Sequence, residues 1–217
     1  MIRRFFSGIL LFSFLLGFCG PLQAGEAEYW KVAKVIDGDT LIVKMKKRKI
    51  KVRLIGVDTP EKYESEKLEK DVRRTHQDEK VIRHLGKKAS EFAQKLVQGR
   101  SVRLAYGDQA TDRYGRTLAY VFFQMSEDQF GKKACVPFPK KGRPPLQKEY
   151  MLNRVLVQCG YAYAFTRFPF ALEREFVQLQ REAEARERGL WKPDSKHRAL
   201  AAVPETKSPR PKGDLEE

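Results

Sequence analysis

The chain has 217 residues, and its 43 Lys and Arg outnumber 28 Asp and Glu, for a formal net charge of +15. One ordinary domain fits that length, and about 150 residues bury a core large enough that neither a metal nor a disulfide is needed to hold it together. The charge predicts a polyanionic partner (nucleic acid, acidic lipid or acidic polysaccharide) without choosing among them, against the alternative of a basic surface that serves solubility alone.

The N-terminus reads MIRRFFSGILLFSFLLGFCGPLQAG. Arg3 and Arg4 form a basic start, residues 9–18 are an apolar stretch too short to span a bilayer comfortably, and Leu22-Gln23-Ala24 ends in a small residue before Gly25. This is the layout of a secretory signal peptide. Residues 1–24 are therefore expected to be removed, residues 25–194 to form the folded domain, and residues 195–217 to be a polar, disordered tail. Removal leaves 41 basic against 28 acidic residues, a net charge of +13. The expected destination is outside the cytoplasm, secreted or in the periplasm and cell envelope. A lipid on Cys19 or an uncleaved leader would instead anchor the protein to the membrane, although Phe18 is bulky for the position before a lipidated cysteine. Two cysteines remain after cleavage, Cys135 and Cys159. A bridge between them in an oxidising compartment and two separate buried thiols are alternatives of equal weight. No Cys-x-x-Cys pair exists, which argues against a structural zinc site.

In chain order, Val32, Val35 and Ile36 lead to Asp37-Gly38, a strong hairpin signal, and Leu41, Ile42 and Val43 continue as a second strand. Residues 46–49 read as the next turn and 50–57 as a third strand, so residues 29–57 form a meander. Residues 62–83 are very polar, without a clear apolar period, and read as a solvated loop or an exposed helical extension. Ala89, Phe92, Ala93, Leu96 and Val97 then share one helical face, with Gly99 placed to end that helix. Residues 102–106 and 117–123 read as strands four and five, and residues 125–148, rich in Lys, Gly and Pro, as a long surface loop. Leu152, Val155, Leu156 and Cys159 give a second helical face closed by Gly160. Leu172, Phe176, Leu179 and Ala183 give a third, closed by Gly189 before Trp191. The expected fold is α+β and β-rich, in the order β-β-β-α-β-β-α-α: a five-stranded Greek-key barrel of the OB type with about three helices. Such barrels often bind oligonucleotides, but fold alone does not fix function.

The usual catalytic devices are missing. There is no Gly-x-x-x-x-Gly-Lys-Ser/Thr loop, no Gly-x-Ser-x-Gly elbow and no His-Glu-x-x-His, and His76, His84 and His197 lie in polar segments. What remains is carboxylates and arginines beside turns: Asp37-Gly38-Asp39-Thr40, the run from Arg53 through Asp58-Thr59-Pro60-Glu61, and Asp112-Arg113-Tyr114-Gly115-Arg116. Taken singly, each is explained as well by an ordinary turn, strand exit or solvated charge.

Taken together they resemble the staphylococcal nuclease family. Asp39 precedes Arg53, Arg53 lies five residues before Asp58, and Glu61 follows three later. The Asp-Arg-Tyr-Gly-Arg run and Gly189-Leu190-Trp191 also match, and the resemblance covers roughly residues 29–193. It implies that Asp39, Asp58 and the Thr59 carbonyl bind one Ca²⁺, an oxygen-only set that suits a hard cation. It further implies that Arg53 and Arg116 hold the scissile phosphate, that Glu61 orients or deprotonates the attacking water, and that Arg113 and Tyr114 contact a neighbouring phosphate. Phe168, with Tyr163 as a second candidate, would offer a stacking face for a base, with core packing as the equal alternative. The implied activity is cleavage of DNA, with RNA as a further substrate, leaving 3′-phosphates. No stable protein partner is implied, so a monomer is expected. The alternative is a noncatalytic OB-fold module that binds nucleic acid in the cell envelope. Two departures from the family stand out: about a dozen extra residues between Glu61 and the helix at Gly86, and the length of the 125–148 segment.

Overall fold

A computed structural model describes residues 28–76, 78–133 and 147–192. The leader, Cys135 and the C-terminal tail lie outside these described residues. Strands β1 (Tyr29–Asp37), β2 (Thr40–Met45) and β3 (Arg48–Leu54) form the expected meander, turning at Gly38-Asp39 between the paired Asp37 and Thr40. β5 (Ser101–Thr111) returns antiparallel to β1, and β6 (Thr117–Ser126) antiparallel to β5. Parallel pairing of Val52 with Thr117, Arg53 with Leu118 and Leu54 with Ala119 joins β3 to β6. That contact closes the five strands into a mixed barrel, which removes the exposed edges an open sheet would leave. Two two-residue strands, β4 (Val57–Asp58) and β8 (Tyr163–Ala164), make a separate ladder beside it, and β7 (Gln147–Met151) extends β6.

Alternation along the strands fills the interior with Trp30, Val32, Leu41, Val43, Val52, Leu54, Val102, Val121 and Phe123, all at most 2% exposed. Five α-helices are described. α2 (Glu79–Val97) buries the face read from sequence, Ala89, Phe92, Ala93, Leu96 and Val97. Gln98, just past its end, donates to Ala33 O and accepts from Val35 N, both at 3.0 Å, where β1 bulges between Val32 and Lys34. The backbone groups freed by the bulge thus find partners, and the helix is tied to the strand. α4 (Leu152–Gln158) and α5 (Glu173–Ala185) supply the other two expected faces.

Three expectations need correction. α2 begins seven residues before Gly86, capped by Asp78, whose carboxylate accepts from Lys80 N at 2.7 Å. The polar run before it contains a further helix, α1 (Glu66–Thr75), so of the two readings the helical one holds. α1 is capped by Ser65 and ends at His76 in the left-handed conformation, and it buries Leu68 and Asp71, which sequence reading treated as solvated. The 125–148 segment is not all loop. It contains the end of β6, α3 (Glu127–Lys133) and the start of β7, with Phe130 buried and stacked on Tyr150.

Asn153 is fully buried in α4. Its Oδ1 accepts from Val121 N at 3.0 Å, and its Nδ2 donates to Ile55 O at 2.9 Å and Ala119 O at 3.3 Å. One amide therefore fixes the turn between β3 and β4 against β6. That turn separates Arg53 from Asp58.

Candidate active site

The β1–β2 hairpin carries Asp39 into a buried position, 4% exposed. Its Oδ1 accepts from Thr40 Oγ1 at 3.0 Å; its Oδ2 accepts from Thr59 N at 2.9 Å and Thr59 Oγ1 at 3.0 Å. The hairpin and the exit of β4 are thereby clamped together. Gly38 is required at this junction: a Cβ there would lie 2.6 Å from Thr59 Cγ2 and 3.0 Å from Ala89 Cβ of α2.

Arg53, on β3, spans the two carboxylates. Its Nη1 pairs with Asp39 Oδ1 and its Nη2 lies 3.2 Å from Asp58 Oδ1. Burial alone would raise the Asp39 pKa, yet the Arg53 guanidinium and the Lys67 ammonium hold that carboxyl well below the usual range. Asp37 goes the other way. Burial and the neighbouring Asp39 charge push it up to about 7. The two carboxyls of one hairpin are thus driven apart, one charged throughout and one able to hold a proton near neutrality.

Lys67 is the residue that sequence reading missed. It stands in the first turn of α1, and its Nζ lies 3.1 Å from Asp58 Oδ1 and 2.6 Å from the Thr59 carbonyl oxygen, to which it donates. Burial opposes its charge, but Asp58 and Asp39 raise its pKa, so it is an ammonium here. The Ser65 cap and the Leu68–Val72 pair at i, i+4 were the available signals for this helix.

Glu61 follows on the loop leaving β4. Its Oε1 accepts from Lys62 N at 2.9 Å and Tyr63 N at 3.3 Å. α2 presses on this loop from behind: a Cβ on Gly86 would come within 2.5 Å of Pro60 O and 2.7 Å of the Glu61 carbonyl. The same helix therefore backs both the Asp39 hairpin and the Glu61 loop.

Arg116 immediately precedes Thr117, which pairs with Val52, so its backbone enters the barrel beside the strand bearing Arg53. Asp112 organises this turn. It accepts from Tyr114 N at 2.9 Å and Arg116 N at 3.0 Å, and it takes the guanidinium side-on through Nε at 2.7 Å and Nη2 at 2.6 Å. Burial would raise the Asp112 pKa, but these donors lower it overall. Tyr114 is 68% exposed, with the Arg113 guanidinium 4.8 Å from its ring centroid. The β4–β8 ladder pairs Asp58 with Tyr163, bringing the following segment next to the carboxylates. Phe168 on that segment is 62% exposed, with Phe165 at 6.0 Å, and so presents an open aromatic face. Tyr163 instead packs edge-on against Trp191 at 5.4 Å, as an interior residue does.

Independent comparisons bear on this arrangement. Residues 51–193 match the family model described as staphylococcal nuclease homologue. The chain belongs to the staphylococcal nuclease family. Among curated relatives it is similar to an uncharacterised protein of Methanocaldococcus jannaschii, 33% identical over 76% of this chain and 72% of the relative. It is also similar to the thermonucleases of Staphylococcus hyicus (31% identical, over 79% of this chain and 80% of the relative) and Staphylococcus intermedius (30%, over 84% and 89%). The OB-type barrel with helices is the fold of that family.

The family implies a metal, and the donors suit one. The Asp39 and Asp58 carboxylates and the Thr59 carbonyl are all hard oxygens, and an ammonium already bridges two of the three. Among the described residues no group of three or more His, Cys, Asp or Glu is placed to hold a metal. A cation here would therefore draw on backbone oxygen and water beside two carboxylates.

Proposed function

We infer that this protein is an exported, calcium-dependent nuclease that hydrolyses phosphodiester bonds of DNA and also of RNA. Family membership gives it a nuclease-type, hydrolytic function; calcium dependence, export and substrate range are our reading. The observation that carries it is the convergence of Arg53 with the Asp39 and Asp58 carboxylates at one end of a strongly basic barrel protein. A purely binding module has little chemical use for a buried carboxylate, Asp39, and a half-buried one, Asp58, beside its phosphate-binding arginine, because they compete with phosphate for the guanidinium.

The residues divide the work. Arg53 and Arg116 grip the scissile phosphate and stabilise the negative charge that grows on its oxygens. Asp112 fixes the plane of the Arg116 guanidinium. Glu61 takes a proton from the attacking water as its oxygen bonds to phosphorus; the P–O5′ bond breaks, and the departing O5′ takes up a proton from solvent, leaving a 5′-hydroxyl and a 3′-phosphate. Ca²⁺ held by Asp39, Asp58 and Thr59 O would supply phosphate charge neutralisation and a more acidic bound water. Arg113, Tyr114 and Phe168 engage the flanking nucleotides by charge and stacking.

Incubation with single-stranded DNA, duplex DNA and RNA, with calcium or a chelator, tests this reading. Calcium-dependent cleavage is expected, and the fragments should need phosphatase treatment before a polymerase can extend them. DNA binding without cleavage would move the protein to the noncatalytic alternative.

A further inference from the structure

We propose that Lys67 is a built-in rival of the metal: its ammonium occupies the cation position of the site and must withdraw before a divalent ion can bind. This rests on the calcium reading above. Lys67 Nζ sits 2.6 Å from the Thr59 carbonyl oxygen and 3.1 Å from Asp58 Oδ1. Ca²⁺ takes oxygen ligands at about 2.3–2.6 Å. The same two oxygens cannot serve both cations at those distances, because the cations would then lie nearly in contact with like charge.

The placement is built in. Lys67 is in the first turn of a helix whose start is set by Ser65 Oγ accepting from Leu68 N at 3.2 Å. Leu68, 3% exposed, anchors that turn against the body of the protein. With Arg53, Lys67 sets two cations against the Asp39 and Asp58 carboxylates, so much of their charge is balanced without a metal. Withdrawal needs no unfolding, since about a third of the Lys67 side chain (37%) is exposed and its four-carbon stem can swing into solvent. Binding of a divalent ion then loses the free energy of breaking two contacts, and the site retains a cation nearby that repels the newcomer. The consequence is a raised calcium threshold: the protein stays metal-free at low calcium and loads where calcium is abundant.

Calorimetric titration of CaCl₂ into chelator-stripped protein tests this, with Tb³⁺ luminescence as a second probe of the same site. Lys67→Met is compared with wild type and with Lys70→Met. Lys70 is on the same helix but 69% exposed and paired with Glu66 in its own turn, so that variant removes the same charge from outside the site. Lys67→Met should bind Ca²⁺ about tenfold more tightly or better, corresponding to loss of roughly one charged contact, while Lys70→Met stays within about twofold of wild type. Melting in chelator provides a second readout: Lys67→Met should melt lower than wild type, and saturating calcium should close or reverse the gap. Lys67→Gln serves in the same way should the Met variant not fold. Unchanged or weaker binding by both Lys67 variants overturns the proposal while leaving calcium-dependent cleavage intact. Equal gains from Lys67→Met and Lys70→Met overturn it too, since net charge alone would then be responsible. No calcium binding by any variant overturns it together with the calcium reading.

Discussion

The two arginines assigned to phosphate are held in opposite ways. Arg53 is 13% exposed and gripped by carboxylates from two other segments, the β1–β2 hairpin and β4. Arg116 is 25% exposed and gripped by one carboxylate four residues away in its own turn. The first is a tertiary arrangement and the second a local one. Arg53 therefore couples chemistry to the integrity of the barrel, because without it the buried Asp39 carboxylate would lose the guanidinium paired with it. Arg116 can be loosened with little effect elsewhere. The proposed site thus joins a rigid half, held across segments, to a half that a single turn can adjust.

The sharpest way to break that contrast is Arg53→Lys. An ammonium cannot reach both Asp39 and Asp58 in the fork geometry, so activity should fall roughly 10²–10³-fold with a lower melting temperature. Near-normal turnover would remove Arg53 from the phosphate site. Asp112→Ala should lower activity about ten- to a hundredfold by releasing the Arg116 guanidinium. It should cost only about 1 kcal/mol in stability, as for a partly exposed pair; a loss as large as for Arg53→Lys would erase the distinction between the halves. That stability difference should vanish in acid, since a carboxyl whose folded pKa is depressed stabilises above its unfolded pKa and stops doing so as pH falls through the folded value. The smallest effect concerns Asp37. Its pKa is raised from 3.8 to about 7, so the folded state holds the proton more tightly and stability declines as pH rises between those values. Asp37→Asn should melt a few degrees higher than wild type above about pH 7, with the gain fading towards pH 4. A pH-independent difference would contradict the assignment.

Legibility in the sequence followed the same division. The barrel strands and the main face of α2 show through because burial on one side imposes a period of two or 3.6, and Asp37-Gly38 marks a turn by its own chemistry. The Asp112 to Arg116 turn is likewise contiguous, although the organising role of Asp112 emerges only from its hydrogen bonds. Asp39, Arg53 and Asp58 are separated in the chain, and no local rule brings them together; only the family spacing pointed to them. α1 stayed only one of two readings because it is mostly charged, with one strongly buried apolar residue, Leu68. Lys67 escaped for a deeper reason. A lysine in a run of lysines and glutamates carries no mark of its partner, and its role depends on where the fold places the Thr59 carbonyl. Asn153 is similar: nothing in the sequence distinguishes a rivet from a solvated amide.

The most direct test of the active-site assignment is hydrolysis of single-stranded DNA by wild type and Glu61→Gln side by side, with calcium and with chelator. Wild type should cleave only with calcium, and Glu61→Gln should be slower by roughly 10²–10⁴-fold while melting and binding calcium as wild type does. Full activity in Glu61→Gln, or cleavage that persists undiminished in chelator, would contradict the account.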